Sequence, residues 1–198
     1  MQHGWNALLA CRGTGVKTAA LLLGWWMSST IAAAAEPNKE ALIRDALSAA
    51  PPSLVSTAPV MDWDHKLLRQ GSGPYTCHPT PPSIRAKGGR EPMCLDKVWL
   101  EWADAWENKK PFKANQVGIA YMMAGDTGAS NTDPYAESRT ASNQWVVEGP
   151  HIMIIMPDSA QLEGIPTDTN SGGAYVMWKG TPYAHIMVPV GKRPAGKK

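Results

Sequence analysis

The sequence carries little charge and almost no excess of either sign: 19 Lys and Arg stand against 17 Asp and Glu in 198 residues. Two of the basic residues, Arg12 and Lys17, fall within the first 35 positions, and the rest of the chain is formally neutral. Lys192, Arg193, Lys197 and Lys198 crowd the last seven positions, which leaves the body between mildly acidic. Binding to nucleic acid draws on clustered positive charge facing phosphates, so no nucleic-acid partner is expected.

Long apolar runs are missing as well. Apart from residues 18–26 (TAALLLGWW), nothing approaches the about 20 apolar residues that a membrane span requires. No integral membrane segment is expected beyond that run. Cysteine is sparse, with three in all and only Cys77 and Cys94 after position 35. No C-x-x-C, H-E-x-x-H, G-x-S-x-G, P-loop or G-x-G-x-x-G pattern occurs, which removes the common redox, zinc-protease, hydrolase and nucleotide-binding signatures.

What is present begins with a leader. Arg12 and Lys17 supply a positive start, an apolar run follows, and Ala33, Ala34 and Ala35 form an A-x-A cleavage site before Glu36. The expected organisation is a signal peptide over 1–35, one domain over 36–190 and a disordered basic tail over 191–198. Export leads to the periplasm or out of the cell, an oxidising setting in which an even pair of cysteines, Cys77 and Cys94, forms a disulfide. A copper set from Cys77, His78, Met93 and Cys94 is disfavoured, because such a site needs two histidines beside its thiolate and neither cysteine has a second one nearby in sequence.

Periodicity predicts a helix over 38–50, with Asn38 as cap and Leu42, Ile43, Ala46 and Leu47 on one face before Pro51 and Pro52 stop it. A second helix is predicted over 95–109 (LDKVWLEWADAWENK), with Asp96 at its start and Val98, Trp99, Trp102, Ala105 and Trp106 on one face. From Gln116 the period becomes two, and Gly118, Ala120 and Met122 form a face of small residues and methionine. Further strands are predicted at WVVE, HIMIIMP, AYVMW and PYAHIMVPV, with a hairpin turn at Lys179 and Gly180 and a short helical turn at SAQLEG. Hairpins without regular βαβ alternation imply an α+β fold, an antiparallel sheet with about two helices packed on one face; a β-sandwich is the alternative.

The chemistry centres on a repeated tripeptide. GPHIMIIMPD carries His151 and Met153, and YAHIMVPV carries His185 and Met187. On a strand, residues two apart share a face, so each segment sets an imidazole and a thioether side by side. If the strands are neighbours, His151, Met153, His185 and Met187 offer a ligand set suited to copper, especially Cu(I); the competing reading is two buried strands with methionine as gap filler. The string Asp126-Thr127-Gly128-Ala129-Ser130 resembles the active-site motif of aspartic proteases, which would make Asp126 the catalytic carboxylate. It departs from that family in lacking an apolar strand directly before the aspartate, and its single copy would require a homodimer. Asp126, Ser130, Asp133 and Glu137 supply oxygens for a calcium ion but do not follow the EF-hand spacing.

GGAYVMWKGTPYAHIMVPV, with MCLDKVWLEWADAW and ASNTDPYA upstream, resembles segments of a group of secreted bacterial hypothetical proteins. The resemblance spans most of the chain after the leader and implies export; it brings no activity, fold or ligand with it. The functional expectation is therefore an exported binding or envelope-associated protein, with copper as the candidate cofactor. The alternative is a secreted hydrolase that pairs His151 or His185 with Asp126 or Asp133.

Overall fold

The computed structural model describes residues 37–194. The expected leader over 1–35 lies outside the described residues, as do the last four residues of the expected tail. Helix α1 (Lys39–Leu47) starts where Asn38 accepts a hydrogen bond from the Ala41 amide at 2.8 Å. Helix α3 (Lys97–Glu107) is capped by Asp96, which accepts from the Trp99 amide. Between them lies a short α2 (Pro82–Ala86) with proline in its first turn. No apolar period marks α2 in the sequence, and it has no buried residue.

The described residues form ten strands: β1 (Val60–Met61), β2 (Leu67–Arg69), β3 (Thr76–His78), β4 (Met93–Leu95), β5 (Gly118–Met122), β6 (Ala129–Ser130), β7 (Trp145–Val146), β8 (His151–Ile155), β9 (Tyr175–Met177) and β10 (His185–Pro189). Eight form one sheet in the order β2-β1-β3-β4-β5-β8-β10-β9, while β6 and β7 pair separately. All neighbours in the large sheet are antiparallel except β1 and β3. The fold is thus α+β, with one large mixed sheet.

Helices cover both faces of that sheet. Adjacent strand residues point to opposite sides: Leu95 packs with α3 residues Val98, Trp99 and Trp102, whereas its neighbour Cys94 packs with Ala46 and Ala49 at the end of α1. The Trp-bearing helix and α1 therefore sit on opposite faces, and a third cluster of Leu162, Val176 and Ile186 continues the α1 side beneath β8, β9 and β10. Asp96 fixes α3 in place, because its second carboxylate oxygen accepts the Ile119 amide of β5 at 2.6 Å. Gly118 lets the two approach, since a Cβ there would lie 2.8 Å from a methyl of Val98.

Cys77 and Cys94 are directly opposite one another on β3 and β4 and form the expected disulfide. Closing a loop with a sequence separation of 17 restricts the unfolded chain and stabilises by about 3 kcal/mol on the chain-entropy account. Both thiols are consumed, so the Cys/His/Met copper set is closed. At the start of the expected tail Arg193 reaches back to the buried carboxylate of Glu148, and just before it the Val190 amide donates to the Pro150 carbonyl at 2.9 Å. Arg193 is thus held by ion pairing and Lys192 by the packing of its carbonyl against Gly149, which charge composition does not reveal. Among the described residues no helix is long and apolar enough to cross a membrane.

Candidate functional site

The two His-Ile-Met strands are neighbours. Alternation buries His151, Met153 and Ile155 on one face of β8, and β10 runs antiparallel beside it with Met187 opposite Met153 and Pro189 opposite His151. On the far side of β8, β5 sets Met122 opposite His151. Beyond β10, β9 sets Met177 opposite His185. A local two-fold axis through the Met153 and Met187 pair therefore relates the motifs, and each histidine has one methionine across the ladder and another two residues along its own strand.

This register separates the histidines. His185 is four positions from Pro189, the partner of His151, an offset of about 13 Å at roughly 3.3 Å per residue. A metal to nitrogen bond is about 2 Å, so one ion does not take both imidazoles. The expected four-residue site of His151, Met153, His185 and Met187 is accordingly split into two His-Met-Met sets, a correction that follows from strand register and not from residue type.

Both sets line one cavity of ≈ 430 Å³ between the sheet and α3. Trp63, Trp99, Trp102, Trp106 and Trp178 wall it, and Met93, Met122, Met153, Met177 and Met187 share the lining with the two histidines. Its exposed lining residues, Pro82 and Ser83 on α2 and Glu107 at the end of α3, mark the opening. At the His151 end the lining includes two carboxyl groups, Glu91 and Asp126. Among the described residues no Lys or Arg lines the cavity.

The histidines are held in a defined tautomer. His151 Nδ1 lies 2.8 Å from the Gly149 carbonyl oxygen and His185 Nδ1 lies 2.9 Å from that of Tyr183. A carbonyl only accepts, so Nδ1 donates in each neutral ring and Nε2 keeps its lone pair. His151 Nε2 is buried with no hydrogen-bond partner, as are the indole Nε1 atoms of Trp99 and Trp102. The His185 ring is boxed by the rings of Trp99, Trp102 and Trp178 at 5.2, 5.7 and 5.2 Å between centroids.

Burial sets the protonation states. It holds His185 down at about 4, with the nearby His151 adding, and it lowers His151 as well. Burial also pushes Glu91 up to about 8, with Asp126 adding. Asp126 is pushed up to about 7, chiefly by burial and further by Glu148, although the amides of Glu148 and Gly128 pull it back. His78, buried against Trp63 with both ring nitrogens unpartnered, is lowered to about 4 by burial and then by His65.

These shifts give stability a maximum. Each carboxyl binds its proton more tightly folded than unfolded, so the stability it contributes at low pH is lost as pH rises through about 7 for Asp126 and about 8 for Glu91. Each depressed histidine contributes stability that is lost as pH falls from about 6.5 toward about 4. The slopes oppose one another below pH 6.5, and only the carboxyl slope remains above it. Thermal unfolding is expected to show a Tm peak near pH 6.5 and a decline of about 4 °C by pH 8.5, from a loss of about 1–2 kcal/mol once screening by water in the cavity is allowed for. Glu91→Gln with Asp126→Asn is expected to flatten the alkaline limb, and an unchanged limb in that variant would remove the carboxyl pair as its cause.

The remaining candidates fall elsewhere. Asp133 accepts from the Tyr135 amide and borders a separate polar depression with Glu137, away from the cavity. Ser130 donates to the Asn143 carbonyl. Among the described residues no group of three or more His, Cys, Asp or Glu side chains is arranged to hold a metal ion, so the loop oxygens of Asp126, Ser130, Asp133 and Glu137 form no calcium site. Asp126 does have carboxyls near it, but they are Glu91 and Glu148 of the same chain and not a copy of its own motif. Sequence reasoning missed Glu91, which lies in a Pro- and Gly-rich loop without period. Met122 and Met177 were accessible through strand alternation, and only their facing of the histidines was hidden. Comparison with protein-family models, with curated proteins and with solved structures found no match.

Proposed function

We propose that this protein is an exported binding module that takes up a small, largely apolar, uncharged or cationic ligand between α3 and the sheet. One observation carries the reading: three buried polar atoms without partners, His151 Nε2 and the indole Nε1 atoms of Trp99 and Trp102, belong to residues that line a single cavity of ≈ 430 Å³. Protein interiors are close-packed, and a buried polar group without a partner costs about 1–3 kcal/mol. Contents that offer acceptors to the indoles and a donor or cation to His151 offset those penalties. The volume falls within the range of small-molecule sites. Among the described residues three acids, Glu91, Glu107 and Asp126, and no Lys or Arg line the cavity, which disfavours anionic ligands; the indole faces favour cations.

The hydrolase alternative draws less support. His151 and Asp126 line the same cavity, yet both histidines direct Nδ1 to main-chain carbonyls and not to a carboxylate, so neither has the orienting acid of a His-carboxylate pair.

The test is titration with N-phenyl-1-naphthylamine, a neutral fluorescent probe with one N–H. Saturable one-to-one binding with quenching of indole emission is expected. Ala103→Trp, on the cavity wall of α3, is expected to weaken binding at least tenfold while leaving the protein folded. Failure of the wild-type protein to bind saturably, or equal binding by the folded variant, would overturn the reading.

A further inference from the structure

We infer that the cavity also holds a monovalent soft cation, Cu(I), on the sheet side, bound by His151 Nε2 with the thioethers of Met122 and Met153. The inference rests on the cavity reading above and names one of its ligands. Met122 is the direct cross-ladder partner of His151 and Met153 lies two residues along the same strand. Side chains on one face at these spacings stand about 5 and 7 Å apart at their roots, within reach of an ion with bonds of about 2 Å to nitrogen and slightly more to sulfur. All three residues line the cavity, and His151 is fully buried with Nε2 unpartnered.

The donor chemistry selects the ion. Thioethers are soft and uncharged, a set that suits Cu(I) and discriminates against the hard cations that require carboxylates. No group of three or more His, Cys, Asp or Glu side chains suited to a metal exists among the described residues, so Zn²⁺ or Ca²⁺ finds no competing site of that kind there. The Nδ1 donation to Gly149 fixes the ring and its tautomer, the second contact that metal-binding histidines generally make. Glu91 and Asp126 line the same cavity, and among the described residues no Lys or Arg lines it to repel a cation.

The two-fold relation offers a second set at His185, Met177 and Met187, but three indole rings box that imidazole. The expected stoichiometry is therefore one. The recurrence of His-Ile-Met places the same side chains of both strands on the cavity.

The experiment is anaerobic Cu(I) titration of the full chain, expressed with its leader and purified, against a chromogenic Cu(I) chelator. X-ray absorption is run on the loaded protein. One equivalent is expected, with one nitrogen and two sulfur ligands. His151→Ala is expected to weaken binding at least 100-fold, and so is Met122→Leu with Met153→Leu, which keeps the packed volume. Met156→Leu, in the cluster on the opposite face of the sheet, is expected to bind as the wild type does. No competition with the chelator, or affinity unchanged in the folded double methionine variant, overturns the inference. The naphthylamine titration on the same samples separates the two readings: a protein that binds the probe but not Cu(I) loses only this inference, and one that binds neither loses both.

Discussion

Arg193→Ala is expected to destabilise the protein by about 3–5 kcal/mol, the usual consequence of stripping a buried charge of its counterion. Glu148 has no solvent exposure. Arg193 Nε donates to both of its carboxylate oxygens at 2.9 Å, the guanidinium donates again through Nη2, and the Tyr175 hydroxyl donates to Oε1 at 2.9 Å. Without the guanidinium, a carboxylate would remain in the interior with one hydroxyl as its side-chain donor and with Asp126 close enough to feel its charge. Denaturant unfolding at pH 7 measures the effect. The double variant Glu148→Gln/Arg193→Ala removes the charge together with its counterion and is expected to recover most of the loss. If the single variant unfolds within about 1 kcal/mol of wild type, the ion pair is not a fastener; if the double is as weak as the single, the loss comes from undocking residues 190–194.

Trp99→Ala is expected to cost a comparable amount, about 3–5 kcal/mol. Trp99 is 1% exposed and contacts the rings of Trp102 and His185 at 4.8 and 5.2 Å between centroids. It lines the cavity and packs against Gly118 of β5, so truncation would enlarge a space that already exists in place of letting neighbours close in, and partial collapse is what keeps such losses small elsewhere. Trp99→Phe keeps most of the ring while removing the unpartnered indole N–H, and is expected to lose less than half as much. Thermal and denaturant unfolding of both variants decide the matter. A Trp99→Ala protein as stable as wild type would mean that α3 is not held to the sheet through this residue.

Parts of this architecture were legible in the sequence because they depend on near neighbours. Asn38 and Asp96 each have a free acceptor and an open amide three residues on, and both cap helices as expected. Trp99 and Trp102 repeat at helical spacing, so their common face follows from 3.6 residues per turn. The alternation in HIMII and HIMVP likewise put each histidine on the face of the methionine two positions away. The hairpin at Gly180 was readable too, and there the positive φ of 85° suits a residue without Cβ. Gly149 illustrates the opposite case: the carbonyl of Lys192 packs where its Cβ would be, and nothing within ten residues of Gly149 announces that approach.

What only the tertiary structure decided comes from pairings between distant segments. Whether His151 faces Met122 or some other residue depends on the register of β5 against β8, and a slip of one residue would turn every side chain to the other face. The separation of the two histidines into distinct sets has the same origin. Glu91 acquires its raised affinity for a proton from burial and from Asp126, a carboxyl 35 positions away, and composition contains no term for burial. Arg193 was readable as a surface charge because most terminal arginines are solvated, and it became the half-buried partner of Glu148 only when the fold set the two side by side. The sequence by itself determined helix caps, strand faces and the cysteine pairing, each set by local geometry or parity. The cavity, its neutral carboxyls and the partners of each histidine were decided by which surfaces met, since desolvation and register are properties of contacts and not of residues.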